Sequence, residues 1–190
     1  WGLPREVWRL HNLRPANHPE RRLALAAAWI EQGGLPSRIR KWGSEVGAHT
    51  APGALIDSLR EALELPRDAF WSRHWTLRAR CEEDRDHPML GRARMTDVAI
   101  NVLLPWLWAQ GERQTREAVE GAYFLWPRAQ DNSILRLARD RLLGGDRLEG
   151  RRGGAALQQG LLQIVSDFCE HSDSLCRHCP FPGLVTDYGG

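Results

Sequence analysis

The residues that decide the fold are Val98-Ala-Ile-Asn-Val-Leu-Leu-Pro-Trp-Leu-Trp-Ala109, an apolar stretch in which Asn101 is the one polar residue. A helix of this length that is apolar on every side is typical of a buried core helix. The stretch is too short to span a membrane, and the sequence has no run of 18 or more apolar residues. It therefore predicts a helix at the centre of a globular domain, with no membrane partner.

Pro105 predicts a kink in this helix. Proline removes one backbone hydrogen bond, and its ring clashes with the carbonyl four residues earlier, which here belongs to Asn101. Because buried polar groups are nearly always paired, we expect the Asn101 side chain to supply the donor that the kink leaves missing. The alternative is that Asn101 serves a ligand.

Helical periodicity continues upstream of this stretch. The segment 18–34 has Pro19 and Glu20 in its first turn and the pair Gly33-Gly34 as a stop, which predicts a helix between them. A stripe at helical spacing is predicted to face the core, and it consists of Leu23, Ala26, Ala27 and Ile30.

The rest of the chain also favours helices. They are predicted at 52–65 and 112–124, after a cap at Asp131 or Asn132, and along a last apolar face from Leu157 to Phe168. One or two turns are expected at 36–42, while 70–80 fits either an extended or a helical period. Without a convincing pair of strands, the fold class is all-α. We expect a single domain over residues 1–190 with five to six helices, and a cysteine-containing tail, 169–183, packed on the last helix.

The composition narrows the class of protein further. Of 190 residues, 42% are hydrophobic and 26% charged, which is typical of one soluble globular domain. The net charge of +2 is too small to indicate a nucleic-acid-binding protein by itself. The chain begins at Trp1 and not at Met, so we expect it to be part of a longer product.

Positive charge is concentrated near the N-terminus. Residues 5–41 carry eight basic side chains against three acidic ones, an excess of five. Two interpretations remain open, a solvated arginine-rich surface and a face that contacts the phosphates of nucleic acid. For the second interpretation the candidate residues are Arg14, Arg21, Arg22, Arg38 and Arg40.

Three of the four cysteines lie close together near the C-terminus. The spacing Cys176-x-x-Cys179 lets two thiolates reach one ion from a tight turn, and Cys169 precedes them by seven residues. The predicted metal ligands are Cys169, Cys176, Cys179 and His178, with His171 or Cys81 as alternative fourth ligands. Zinc is the first choice of metal and an iron–sulfur cluster the second, and such a site is expected to pin the tail without carrying chemistry. A disulfide or plain thiols are the alternatives.

Four short motifs carry a family resemblance. They are Leu13-Arg-Pro-Ala-Asn-His-Pro19, Ala99-Ile-Asn-Val-Leu-Leu-Pro105, Asp131-Asn-Ser-Ile134, and Phe168-Cys169 followed by Cys176-Arg-His-Cys179. In this order they resemble the C-terminal half of the bacterial family labelled domain of unknown function 2851, over about residues 10–183. The chain departs from the family pattern at His18 and at Trp126-Pro-Arg128.

The resemblance implies a longer parent protein. Its strand-rich first half carries a run similar to the metal-binding carboxylates of restriction-type nucleases, and no such carboxylate pair is present in this chain. We therefore expect a non-catalytic helical accessory domain that contacts nucleic acid for a nuclease-like upstream half. The alternative is a metal-stapled structural or protein-interaction module. No catalytic motif occurs in the sequence, and the low density of cysteines predicts a cytoplasmic location.

Overall fold

The computed structural model describes residues 4–7, 13, 17–82, 85–144, 154–169, 176 and 178–188. The α-helices in this part of the chain are α1 (Pro19–Gln32), α2 (Leu35–Glu45), α3 (Pro52–Ala62), α4 (Arg92–Val98), α5 (Leu104–Gln110), α6 (Arg113–Leu125), α7 (Ser133–Leu143), α8 (Ala155–Ile164) and α9 (Phe181–Tyr188). No strand forms in the ranges described, apart from an isolated bridge between His74 and Arg80. The all-α prediction is confirmed. Within the same ranges, no helix combines the length and the apolar character that spanning a membrane requires.

The apolar stretch 98–109 lies in a continuous helical rod, and only one side of this rod is buried. Helix α4 continues through a π-helical turn, Ala99–Leu103, into α5. Ile100, Leu104 and Leu107 are 1–4% exposed, whereas Val102 is 56% and Trp108 48% exposed. The prediction of a helix buried on every side is wrong, because neighbouring helices cover only the side that carries the first three residues.

The π turn accommodates Pro105. The N–H of Leu104 donates to the carbonyl of Ala99, five residues earlier, so the chain enters α5 with the proline in its first turn. The side chain of Asn101 is exposed, and its Nδ2 donates to the carbonyl of Asp97 at 2.9 Å. The side chain of Asn101 thus bonds to a carbonyl of α4, and not to the one beside Pro105 that the sequence predicts.

The main core lies where α2, α3, α6 and the rod from α4 to α5 meet. Trp126 is fully buried just after α6, and its ring meets that of Trp42 edge to face at 6.2 Å. Trp42 also donates from Nε1 to the hydroxyl of Ser58 at 3.0 Å, which joins α2 to α3. Gly43 allows close contact between α2 and α5, since a Cβ there would lie 2.6 Å from the Leu107 side chain. The sequence predicted only one or two turns at 36–42, whereas α2 is longer and supplies part of this core.

A second, smaller core joins α7 to α8. Its buried residues are Leu135, Ala138, Leu161 and Val165. Asn132 caps α7 as predicted, because its Oδ1 accepts the N–H of Leu135 at 2.8 Å. A further π turn, Val165–Cys169, follows α8. Helix α9, which the sequence did not predict, has no buried residue and contacts this region through Phe181, whose ring is 5.3 Å from that of Phe168.

The buried side chain of Gln158 connects the two cores. It is 2% exposed; its Oε1 accepts the N–H of Ala129 at 2.7 Å, and its Nε2 donates to the Ala129 carbonyl at 3.0 Å and to Asp131 Oδ1 at 2.8 Å. Asp131 also pairs with Arg139 through its other oxygen. One glutamine of α8 therefore fixes the link between α6 and α7.

Candidate functional site

Helix α1 has the ends that the sequence predicts. His18 precedes it in an extended conformation, Pro19 occupies its first position, and Gly33 follows it with φ +67°. The N–H of Gly33 donates to the carbonyl of Trp29 at 3.2 Å. Proline at the start and glycine past the end are the ordinary helix boundaries, so local chemistry alone determines this element.

The orientation of α1 is the reverse of the prediction. Arg21 is 1% exposed and Leu25 7%, so their side of the helix faces the domain. Leu23 is 55% exposed and Ile30 80%, and Ala26 and Ala27 are exposed as well. The stripe that was expected to pack in the core is therefore an outward apolar face, defined by Leu23, Ala26, Ala27 and Ile30.

The buried guanidinium of Arg21 explains this orientation. Its Nη1 donates to the carbonyls of Trp71 and His74, both at 2.5 Å. Its Nη2 donates to the carbonyls of His87 and Pro88, at 2.7 and 3.0 Å. One rigid fork of donors thus binds four backbone acceptors that lie 50 to 67 residues further along the chain.

The dipoles of the four carbonyls compensate for the cost of burying the positive charge of Arg21. Desolvation by burial lowers the pKa of Arg21 from its ordinary value, and the electrostatic effect of Cys81 acts in the opposite direction. The guanidinium also lies over the Trp75 ring, 5.1 Å from its centroid. Because carbonyl oxygens and an aromatic face compensate the charge, α1 can bury an arginine on the side that packs.

Two further contacts hold α1 in place. Glu20 Oε2 accepts the N–H of Leu77 at 2.7 Å, near the start of the helix. Trp29 Nε1 donates to the carbonyl of Leu63 at 3.2 Å, near its end. Rotating α1 to bury the outward face would break these bonds together with those of Arg21, so the face stays exposed in this chain.

The arginines predicted to contact phosphate have different environments. Arg14 lies outside the described residues. All the side-chain hydrogen bonds that the structure assigns to Arg21 go to backbone carbonyls of this chain, which gives it a structural role. Arg22 is exposed, and its pKa is lowered by desolvation and by Arg94, with Asp97 acting in the opposite direction.

The remaining two arginines of that set belong to α2. Arg38 donates to the carbonyl of Glu64 at 3.1 Å and to Gln32 Oε1 at 2.8 Å, so part of its hydrogen-bonding capacity is already used. Arg40 is exposed, and its guanidinium lies over the Trp106 ring at 5.6 Å. Of the five predicted arginines, Arg22 and Arg40 are those that the structure leaves on the surface without a side-chain hydrogen bond within the described residues.

The Arg-Pro-Ala-Asn motif ends in a residue with a clear contact. Asn17 Oδ1 accepts from Arg94 Nη2 at 2.9 Å, and Nη1 of the same arginine pairs with Asp97 at 3.1 Å. This bond ties the segment before α1 to α4. Sequence reasoning missed the pairing because the partners are 77 residues apart.

The predicted metal ligands do not converge in the described part of the chain. Cys169 and Cys179 are partly exposed, and Cys176 is exposed with φ +68°; all three are unbonded to another cysteine. The N–H of Cys179 donates to the Cys176 carbonyl at 3.4 Å, which forms a turn between them. No group of three or more His, Cys, Asp or Glu side chains in the described ranges could hold a metal ion, His178 included. The zinc site stays a prediction from the sequence.

Comparison with known proteins gives one positive result. A family model described as "Protein of unknown function (DUF2851)" matches residues 2–131. The chain belongs to this family. The DUF2851 match includes α1 to α6, and with them the Asn17 motif, Arg21 and its four acceptors. Helices α7 to α9 and the three C-terminal cysteines lie beyond the matched residues. No curated protein and no solved structure matches the chain.

Proposed function

We propose that this chain is a non-catalytic interaction module that docks against the rest of a longer DUF2851 protein through the outward face of α1. The observation that carries the proposal is this apolar face, which the contacts of Arg21, Glu20 and Trp29 hold away from the core. Contiguous apolar surface on a folded domain is characteristic of a binding site. Ile30 and Leu23, at 80% and 55% exposure, are its largest anchors.

The proposed occupant is a strand-rich half before Trp1, which the family resemblance implies. Helix α1 begins at residue 19, so a preceding half would be tethered close to the face. Tethering makes docking an intramolecular event with a high effective concentration, so a small apolar stripe would suffice. A second copy of this chain is less favoured, because an antiparallel α1 pair would bring the Glu20 and Glu31 flanks of the two copies together.

Charged substitutions on the outward face test this function. With the upstream half produced as a separate polypeptide, we expect the chain to bind it, and the double variant L23D/I30D to bind at least about tenfold more weakly, since each change puts a charge into an apolar contact. The free energy of unfolding of the chain alone should fall by no more than about 2 kcal/mol, because both residues are exposed and the cost is that of placing aspartate in a helix. Calorimetric titration and chemical denaturation give the two quantities.

The matched control is Phe124→Asp on α6, since Phe124 is 66% exposed and lies outside the outward face. F124D should bind the upstream half like the unchanged chain. Equal binding by L23D/I30D would overturn the proposal. A third outcome is that the chain associates with itself and that L23D/I30D abolishes this association. The outward face would then be a contact between two copies of the chain, which would overturn the assignment of its occupant.

Nucleic-acid contact is a second candidate, favoured by two arginine–tryptophan pairs. The guanidinium of Arg40 lies over Trp106, and that of Arg116 lies 5.2 Å from the centroid of Trp108 and donates to its carbonyl at 3.1 Å. Both tryptophans belong to α5, and Trp108 is 48% exposed. Arginine beside an aromatic ring is suited to a single strand, because it offers a phosphate ligand next to a stacking surface.

The dependence of oligonucleotide affinity on salt concentration tests the proposed nucleic-acid contact. If these pairs contact phosphates, the affinity for a single-stranded oligonucleotide should fall as the salt concentration rises. The R40Q/R116Q variant loses two such contacts. It should therefore lower the slope of log K against log salt by about 1.4, or about 0.7 per lost phosphate contact. Fluorescence anisotropy measures both quantities, with the exposed Arg136→Gln on α7 as the control. Binding that does not depend on salt would remove the candidate. A cytoplasmic location stays a prediction from the sequence.

A further inference from the structure

A cavity of about 420 Å³ lies apart from the outward face, between the helices and the segment 64–90. Its apolar wall consists of side chains from α1, from the end of α3, from this segment and from α4. They include Leu25, Leu63, Met89, Leu90 and Met95. Sites for small molecules are typically mostly apolar clefts of about 300–1,000 Å³, so both the size and the lining fit such a site.

The segment beside the cavity is long and irregular, yet it is firmly held. Between α3 and α4 the described residues form no helix or strand beyond the isolated bridge already mentioned. Loops longer than about 12–15 residues without secondary structure are uncommon in a compact domain and often functional. Here the four bonds of Arg21 join the parts at 71–74 and 87–88, and His87 N–H donates to the Ser72 carbonyl at 2.9 Å. The walls of the cavity are therefore pre-formed, which lowers the entropic cost of binding.

The charged groups that line the cavity carry a small negative excess. The two cations are Arg60 and Arg67, and the three anions are Glu64, Asp68 and Asp86, which gives a net charge of −1. Arg67 pairs with Asp86 at 2.7 Å. Glu64 has no hydrogen bond or ion pair to its carboxylate within the described residues.

The other two charged residues of the lining, Arg60 and Asp68, each have a partner, and one carboxylate oxygen of Asp68 stays available to a cation. Arg60 pairs with Asp57 at 2.9 Å, outside the lining. Asp68 Oδ1 accepts the N–H of Trp71 at 2.7 Å, and its second oxygen carries no such bond in the described structure. The lining carboxylates of Glu64 and Asp68 thus keep oxygens without a hydrogen bond in the described structure, and such acceptors suit a ligand that donates hydrogen bonds and carries positive charge.

We infer that this cavity binds a small organic amine with an apolar body. The ammonium group contacts the carboxylates of Glu64 and Asp68, and the body packs against the leucine and methionine side chains of the wall. Methionine adapts to ligand shape and makes favourable contacts with aromatic rings, which favours an aromatic body. The site is separate from the outward face of α1, so it stands or falls independently of the proposed docking.

Paired probes of equal shape and opposite charge test the inference. 2-Phenylethylamine and 3-phenylpropanoate are titrated into the full 190-residue chain, and the amide chemical shifts are followed by NMR. The amine is expected to bind about fivefold more tightly than the carboxylate, with shifts concentrated at 63–68 and 86–95. The E64Q/D68N double variant should remove this preference, because both carboxylates are then neutral amides, while the control Glu61→Gln, on α3 and outside the lining, should keep it.

A filling substitution shows whether the probes occupy the cavity. Met89→Trp places a larger side chain in its wall and should weaken the binding of both probes at least about tenfold, and its thermal unfolding reports whether the variant folds. Absence of binding by the amine in the unchanged chain, or equal binding of the two probes, would overturn the inference. Unchanged binding in a folded M89W variant would place the probes elsewhere and also overturn it.

Discussion

Replacing Arg21 with methionine is expected to lower the free energy of unfolding by about 3–5 kcal/mol. Methionine keeps much of the side-chain volume but removes the donors to Trp71, His74, His87 and Pro88. Four carbonyls then lose their donor, and the segment between α3 and α4 loses its main attachment to α1. Chemical denaturation followed by circular dichroism measures the change.

Arg22→Met is the matched control, because it makes the same chemical change one residue away at an exposed position. It should cost less than about 0.5 kcal/mol. Arg21→Lys keeps the charge but lacks the planar fork, so it should lose most of the stability that R21M loses. Hydrogen exchange should show faster exchange at 66–91 in R21M and not in R22M. A loss below about 1 kcal/mol in R21M would show that these bonds do not orient α1.

Replacing Gln158 with leucine should lower the free energy of unfolding by about 2–3 kcal/mol. Leucine is apolar and of similar size, so the loss reflects three hydrogen bonds to Ala129 and Asp131 more than a change in packing. The N–H and carbonyl of Ala129 would be left without these partners. We expect the link between α6 and α7 to loosen first, which hydrogen exchange at 126–132 would detect.

Gln163→Leu on the same helix is the control, since Gln163 is exposed and bonds only to the exposed Asp167 in the described structure. Its expected cost is below about 0.5 kcal/mol. If Q158L and Q163L cost the same, the smaller core does not depend on this glutamine.

The ends of α1 could be predicted from the sequence, whereas its orientation could not. Pro19 and Gly33 act on the backbone next to them, so their effect is visible within a short window. The direction of burial depends on acceptors that lie 50 or more residues away and are backbone carbonyls, which every residue has. No residue type marks them, and a periodicity argument places an arginine in water by default.

The same distinction applies to the rod from α4 to α5. Its helical character and the disturbance at Pro105 follow from local chemistry, and both are present. Which side is covered depends on where α2, α3 and α6 pack, so the exposure of Val102 and Trp108 could not be predicted. The hydrophobic pattern of 70–80 fits neither a helix nor a strand because the segment forms turns. Hydrogen bonds from Arg21 stabilise their conformation.

The family could also be predicted, because several short motifs occurred in a fixed order, but the cavity could not. Its wall combines residues of α1, α3 and α4 with an irregular segment, and no spacing in the sequence connects Leu25 with Met95. A cavity of this kind depends on tertiary packing alone.

The most direct test of the outward face is the labelling rate of a cysteine at position 30. In the 190-residue chain, Ile30→Cys should react with a maleimide nearly as fast as Phe124→Cys and at least about tenfold faster than Leu25→Cys, with the labelled peptides quantified by mass spectrometry. In the presence of the upstream half, position 30 should become protected and position 124 should not. A cysteine at position 30 that reacts as slowly as one at position 25 in the chain alone would contradict the account.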